Sequence, residues 1–299
     1  MPYKRYGEIF KKLREQKNFS LSHFSEIGIS KASLSRFELG QTMISFERLD
    51  SALQEMNVTL AEYEHFINNF SMDYKEEFLE DIILADIADD VDKLHSLYLE
   101  AMEYDSKMLA YCAKSRYETL TQMEAGDVVE YLYDVGEWGY FELSIFYLTL
   151  DSFSEREIMY LMKELWGKSK HLYGVFKYRR RVLQSSYRAV VLLSSKGARD
   201  SARSILQKSY PKDDFYDLYI ENLRNLAHGF YSYCFKDKIS GEKQIKNAIE
   251  IFGQVGYEDL ADYYQKRYQK LLGKLLTLKS LQITSLHFCN DLKRRLFFC

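Results

Sequence analysis

Proline occurs at only two positions in this 299-residue chain, Pro2 and Pro211. The residue that most strongly breaks helices is therefore missing from almost the whole length. What fills that length is a succession of polar–apolar runs at helical spacing, and 46% of the residues are hydrophobic. An all-α protein is expected, long enough for about two domains with sizeable cores.

Net charge is only -3, so no overall basic excess announces a nucleic-acid partner. The charge is segregated, however. Residues 1–40 carry eight Lys/Arg against four Glu, residues 73–105 twelve acids against two Lys, and residues 168–212 twelve Lys/Arg against Asp200 alone. A whole-chain sum hides these blocks. The four cysteines (Cys112, Cys234, Cys289, Cys299) form no CxxC pair. Neither a zinc site nor a disulfide framework is suggested, which fits a reducing cytoplasm. No apolar run is long enough to span a membrane or to follow the N-terminal basic residues as a secretory signal.

Ser20–Gly40, SLSHFSEIGISKASLSRFELG, carries the most specific local pattern. Its spacing predicts a helix over Ser20–Ile27, a tight turn at Gly28 and a second helix over Ser30–Leu39 closed by Gly40. Two short helices joined this way form a helix-turn-helix unit, whose second helix enters the DNA major groove. A helix over Tyr6–Gln16 precedes it, with Ile9, Phe10 and Leu13 on one face. The stripe Leu21, Phe24, Ile27 is expected to be buried. A further helix from about Ser45 to Met56 should place Phe46, Leu49 and Leu53 inside. Thr59–Glu62 is a capping box opening a helix to about Asn69. Five helices make residues 1–69 a small domain, with 70–76 as a linker.

Leu34 and Phe37 should face the core of that domain. Lys31, Ala32, Ser35 and Arg36 then project outward, where Lys and Arg suit guanine O6/N7 and Ala a thymine methyl. Ser33 at the helix N-terminus suits phosphate, and Lys12 on the preceding helix joins the candidate DNA-binding set.

Leu13-Arg14, Ser20, Gly28 and the run Ser30–Gly40 resemble the lambda/434-repressor type of helix-turn-helix. The resemblance implies a structural ion pair between Arg14 and Glu38. Many members carry glutamine where this chain has Leu21, for a phosphate contact that Ser20 or Ser22 is left to supply.

In the acidic block, Leu79, Ile82, Ile83, Ile87, Val91 and Leu94 keep helical spacing, so a solvated acidic face is expected. From about 106 to 272 the chain reads as helix pairs: 106–121 with 127–134, 137–149 with 155–167, 171–194 with 198–208, and 214–234 with 240–253. A last helix covers 256–272. Gly197, Gly241 and Gly256 mark breaks, and Ala227, Ala248 and Ala261 are small residues for helix crossings. The rhythm is that of degenerate tetratricopeptide-like repeats, which stack into a right-handed superhelix with a concave groove. The first helix of each pair is expected to line that groove. Tyr178, Arg180, Gln184, Tyr187, Asn222 and Asn225 are the candidate peptide-binding residues, since asparagine can clamp a peptide backbone and arginine a carboxylate.

A lambda-type domain followed by such repeats, with SRFELG at 35–40 and WGYFEL at 138–143, resembles the Rgg family of transcriptional regulators over roughly residues 1–275. The resemblance implies a cytoplasmic homodimer on a promoter inverted repeat, responding to a short hydrophobic pheromone peptide in the repeat groove of residues 77–276. Some members join their DNA-binding domains by a disulfide near the start of the fourth helix. Here that stretch reads Ile44-Ser45-Phe46, so dimerisation must rest on packing. Residues 277–299 do not continue the pattern. The other reading is a helix-turn-helix repressor or immunity-type regulator whose repeats only dimerise or bind a protein. An enzyme is disfavoured, because none of the common nucleophile, metalloprotease, phosphate-loop or dinucleotide motifs occurs. No cofactor or metal is called for.

Overall fold

The computed structural model describes residues 4–68, 73–209 and 217–273, and every regular element among them is helical. The described residues fall into two compact units, divided between Glu77 and Phe78. The expected tail, 277–299, lies outside the described residues.

The first unit contains α1 (Lys4–Gln16), α2 (Lys31–Glu38), α3 (Phe46–Glu55) and α4 (Leu60–Ile67). Three of these start at side-chain caps. Ser30, Ser45 and Thr59 each accept the backbone N–H three residues on, and Glu62 completes a capping box with Thr59. Their core is built on Phe10, Leu13, Phe24, Ile29, Leu34, Phe37 and Leu53. Phe10 makes an edge contact with Phe37, the ring centres 5.5 Å apart.

Two expectations for this unit fail. Ser20–Ile27 is not an α-helix: only His23–Ser25 is helical, as one 3₁₀ turn. The amides of His23, Ser25, Glu26 and Ile27 each donate three residues back, at 3.1 to 3.3 Å. A stretch with Ser20, Ser22 and Ser25 favours such local turns over a regular helix. Phe24 is buried while Leu21 and Ile27 are half-buried. Phe46 is not inside but 68% exposed. It opens α3, and the stripe of Leu49, Ala52 and Leu53 reaches the core only one turn later.

The helices that follow are α5 (Tyr74–Ile87), α6 (Val91–Glu103), α7 (Lys107–Tyr117), α8 (Gln122–Asp134), α9 (Tyr140–Thr149), α10 (Glu155–Lys168), α11 (Phe176–Ser195), α12 (Arg199–Lys208), α13 (Leu218–Phe235) and α14 (Lys238–Gln254). A last helix, α15, covers 258–273. Tyr74–Glu76, expected in the linker, already belong to α5. Helix α8 begins five residues before its expected start, because Thr121 and Glu124 form a capping box.

The WGYFEL segment has a structural explanation. Trp138 is fully buried and its indole N–H donates to Leu132 O at 2.9 Å, while Glu142 Oε2 accepts the Gly139 N–H at 2.9 Å and starts α9. Gly197 and Gly256 do sit at breaks with positive φ. Gly241 does not. It lies inside α14, where an added Cβ would fall 2.2 Å from Tyr233 N, so its absence of a side chain lets α13 and α14 touch. Ala227 and Ala248 are fully buried, and Phe252 stacks on Tyr264 of α15 with ring centres 5.1 Å apart.

On α5 and α6 the acidic block is mostly solvated while Leu79, Ile82 and Leu94 of the apolar stripe are buried, but Val91 departs from that stripe and is 50% exposed. Asp86 departs from it: Tyr263 of α15 donates to its Oδ2 at 2.8 Å, and Arg116 Nε of α7 lies 3.1 Å away.

Candidate DNA-reading surface and ligand cavity

Helix α2 is held from both ends. At its start Ser30 Oγ accepts the Ser33 N–H at 3.2 Å. At its end Gly40 takes φ +68°, which a glycine adopts without strain. Helix α1 crosses over the same end. A Cβ at Gly7 would lie 1.9 Å from Phe37 O, so only glycine permits that approach.

The buried Arg14 of α1 then locks the two helices together. Its Nε donates to Glu38 Oε1 at 2.6 Å, its Nη2 to Glu38 Oε2 at 2.9 Å, and its Nη1 to Phe19 O at 2.8 Å. Two parallel charge-assisted bonds fix geometry as well as charge, and the Glu38 bond raises the Arg14 pKa further above its usual value.

With Leu34, Phe37 and Glu38 buried, the opposite face of α2 is free. Lys31, Ala32 and Arg36 are exposed and Ser33 and Ser35 half-buried; positions 31, 32, 35 and 36 share one face. The Ser33 N–H is already used by Ser30, which leaves only the Ser33 hydroxyl for another partner. Lys12 is exposed on α1. Ser20 and Ser22 are exposed and hydrogen-bonded to each other, Oγ to Oγ at 2.9 Å.

The second unit holds two adjoining cavities. The larger, about 270 Å³, is walled by Tyr140, Tyr147, Phe176, Tyr219 and Tyr264, with Arg180, Arg181 and Gln184 of α11 among its polar groups. The smaller, about 60 Å³, is mainly apolar and includes Val191, Leu223, Leu226 and Phe230. Tyr147, Gln184, Tyr263 and Tyr264 line both.

The six candidate peptide-binding residues are divided by this geometry. Arg180 and Gln184 line the larger cavity; Gln184 donates to Tyr219 Oη at 3.4 Å. Tyr187 lines the smaller one, but its hydroxyl is committed to Ser209 O at 3.0 Å. Tyr178, Asn222 and Asn225 line neither. Tyr178 packs edge-on to Tyr140. Asn222 is 2% exposed and its Nδ2 donates to Ala248 O at 2.7 Å, so it serves the α13–α14 contact. Asn225 is exposed.

An ion cluster that the sequence reading missed contributes to both walls: Asp151, Arg188 and Arg267 line the smaller cavity and Asp86 the larger. Asp151 Oδ2 is approached by Arg116 Nη1 at 2.9 Å, Arg267 Nη2 at 3.1 Å and Arg188 Nη2. Burial pushes the Asp151 carboxyl up, but Arg188, Arg267 and Arg116 together hold it well below the usual carboxylate range. Asp86 is likewise lowered, burial being outweighed by Arg116, Arg267 and Arg188. A signal did exist in the sequence. Asp151 directly follows the apolar run Ile145–Leu150 and Arg188 directly precedes Ala189–Leu193, and a charge placed there must find a partner.

A helix-turn-helix unit carried on the same chain as a helical-repeat unit is the architecture of a DNA-binding transcriptional regulator. The helix-turn-helix family model matches residues 10–63. The model described as the C-terminal domain of the HTH-type transcriptional regulator Rgg matches residues 91–266, more than half of the chain. The chain belongs to the Rgg family.

Solved structures share the fold. The SHP pheromone receptor Rgg2 of Streptococcus dysgalactiae is 23% identical, with a TM-score of 0.71, covering 89% of this chain and 99% of its own. A protein of Listeria monocytogenes EGD-e, classed provisionally as a transcriptional regulator, is 19% identical with a TM-score of 0.74, covering 91% and 98%. The PrgX/cCF10 complex is 14% identical with a TM-score of 0.65, covering 90% and 93%. Among the described residues no helix is long and apolar enough to cross a membrane.

Proposed function

We propose that this regulator works in the cytoplasm, binds an inverted repeat in promoter DNA as a homodimer, and responds to a short hydrophobic peptide held by its repeat unit. In this reading Lys31, Ala32, Ser35 and Arg36 meet base edges, while Lys12, Ser20, Ser22 and the Ser33 hydroxyl meet phosphates. The single observation that carries the peptide half is the cavity pair: an aromatic chamber with polar anchors, Arg180 and Gln184, opening beside an apolar one. Concave apolar walls with a few placed polar groups are the usual makings of a ligand site. That Rgg2, which shares this fold, is a pheromone receptor supports the same reading.

Tyr178, Asn222 and Asn225 leave the proposed peptide site, since none lines either of these two cavities. The apolar residues Leu39, Met43 and Phe46, 57%, 43% and 68% exposed, are available for a dimer contact that rests on packing.

The experiment is a titration of synthetic short hydrophobic peptides onto the full chain bound to fluorescently labelled promoter DNA. A peptide that shifts the DNA-binding curve supports the proposal, because a ligand moves an equilibrium only through different affinities for its two states. A curve unmoved by every peptide, with DNA binding intact, favours repeats that only dimerise or hold a protein partner.

A further inference from the structure

The larger cavity has a buried cation with no carboxylate beside it among the described residues. Five charged side chains line it: Glu80, Asp86, Lys177, Arg180 and Arg181. Asp86 is committed to Arg116 and Tyr263. Arg180 Nε lies 3.2 Å from Asp217 Oδ2 and its guanidinium covers the Tyr219 ring at 4.7 Å. Glu80 is exposed.

That leaves Arg181. It is 5% exposed, and among the described residues it has no carboxylate partner. Its Nη2 donates to Tyr140 Oη at 2.7 Å, and its guanidinium lies over the Tyr140 and Tyr147 rings at 5.1 and 4.8 Å. Its Nε is buried with no hydrogen-bond partner at all. Two ring faces and a phenol oxygen offset part of the desolvation of a guanidinium, but a buried arginine is ordinarily paired with an anion. The neighbouring arginines show what pairing looks like here: Arg116, Arg188 and Arg267 converge on Asp151.

We infer that Arg181 is the anchor of a carboxylate subsite, which receives a carboxylate carried by the peptide while the apolar side chains of that peptide occupy the adjoining smaller cavity. The inference rests on the peptide reading of this same cavity and adds the chemical group that the ligand must carry. The cavity is small beside a whole peptide, which suits one end of it or one side chain. Two sources carry the same chemistry: a free C-terminus, or an Asp or Glu side chain.

The test is affinity selection on the full chain with mass-spectrometric readout. Three pools of N-acetylated short peptides built from Ala, Ser, Thr, Val, Leu, Ile and Phe are offered: free acids, C-terminal amides, and C-terminal amides with one Glu. On the unmodified chain, one carboxylate-bearing pool should be enriched over the plain amides at least about tenfold, as for a desolvated charge pair, and which pool wins names the source. Arg181→Met, its helical content checked by circular dichroism, should bring the pools to parity. Arg181→Lys, which keeps charge but not the fork, should retain part of the preference. Equal retention of all three pools by the unmodified chain would keep the peptide reading and overturn the carboxylate subsite. Retention of none would overturn both. Displacement of the acids by inorganic phosphate but not by acetate would assign the site to a phosphorylated ligand and overturn the proposal.

Discussion

Tyr263 donates its hydroxyl to Asp86 Oδ2 at 2.8 Å, joining side chains 177 positions apart and tying the last described helix to the first helix of the second unit. Arg116 and Arg267 flank the same carboxylate. Tyr263→Phe keeps the ring and removes one donor, and Arg116 remains with Asp86. The expected cost is about 1 kcal/mol, read as a lower urea midpoint with an unchanged slope. An unchanged midpoint would mean that this tie contributes nothing to the second unit.

The two lowered carboxyls set an acid limit. Asp86 and Asp151 have folded pKa values below the unfolded value of about 3.9. Their contribution is therefore complete above about pH 5 and is lost as the pH falls below about 4, through the folded values. Melting temperature against pH should be flat down to about pH 5 and then drop. Asp151→Asn leaves Arg116, Arg188 and Arg267 without their shared counter-charge. It should cost at least about 2 kcal/mol at neutral pH and flatten the acid drop. Parallel curves for the two proteins would refute this role for Asp151.

Glu38 presents the same logic in the first unit. Glu38→Ala strands the buried Arg14 guanidinium and should cost about 3 kcal/mol. Arg14→Met with Glu38→Leu removes both charges and should cost less than Glu38→Ala alone. Chemical denaturation of the three proteins compares them directly, and a double variant less stable than Glu38→Ala would contradict the account.

Two glycine substitutions should have opposite signs. Gly241→Ala drives a methyl group into the Tyr233 backbone at 2.2 Å and should unfold the α13–α14 contact or abolish soluble expression. Gly126→Ala, in α8 with nothing within 4 Å of the added carbon, should stabilise by about 0.5–1 kcal/mol. Thermal melts of both check the pair, and a harmless Gly241→Ala would show that the helices can separate cheaply.

What the sequence disclosed and what it concealed divide along physical lines. Local signals were readable: Ser30, Ser45 and Thr59 start their helices because a cap and its amide lie three residues apart. The buried partners of α2, Leu34 and Phe37, followed from spacing alone. Ser20–Ile27 misled because apolar residues at helical intervals also fit a 3₁₀ turn when serines surround them. Asn222 misled for another reason. An asparagine on a helix reads alike whether it faces a groove or a crossing helix, and only the approach of α14 decides. The ion cluster escaped because Asp86, Arg116, Asp151, Arg188 and Arg267 meet only after folding, and only Asp151 and Arg188 stood out beside apolar runs.

The most direct measurement for the proposed division of labour is fluorescence anisotropy of labelled promoter DNA titrated with the full chain at several salt concentrations. Arg36→Ala should weaken binding by about 1–3 kcal/mol and relax discrimination against base changes in the half-site. Lys31→Ala should weaken it as well, with a shallower salt dependence if that side chain meets phosphate instead of a base. Binding curves for Arg36→Ala that overlay those of the unmodified chain on every sequence and at every salt concentration would contradict the assignment of this face of α2 to DNA.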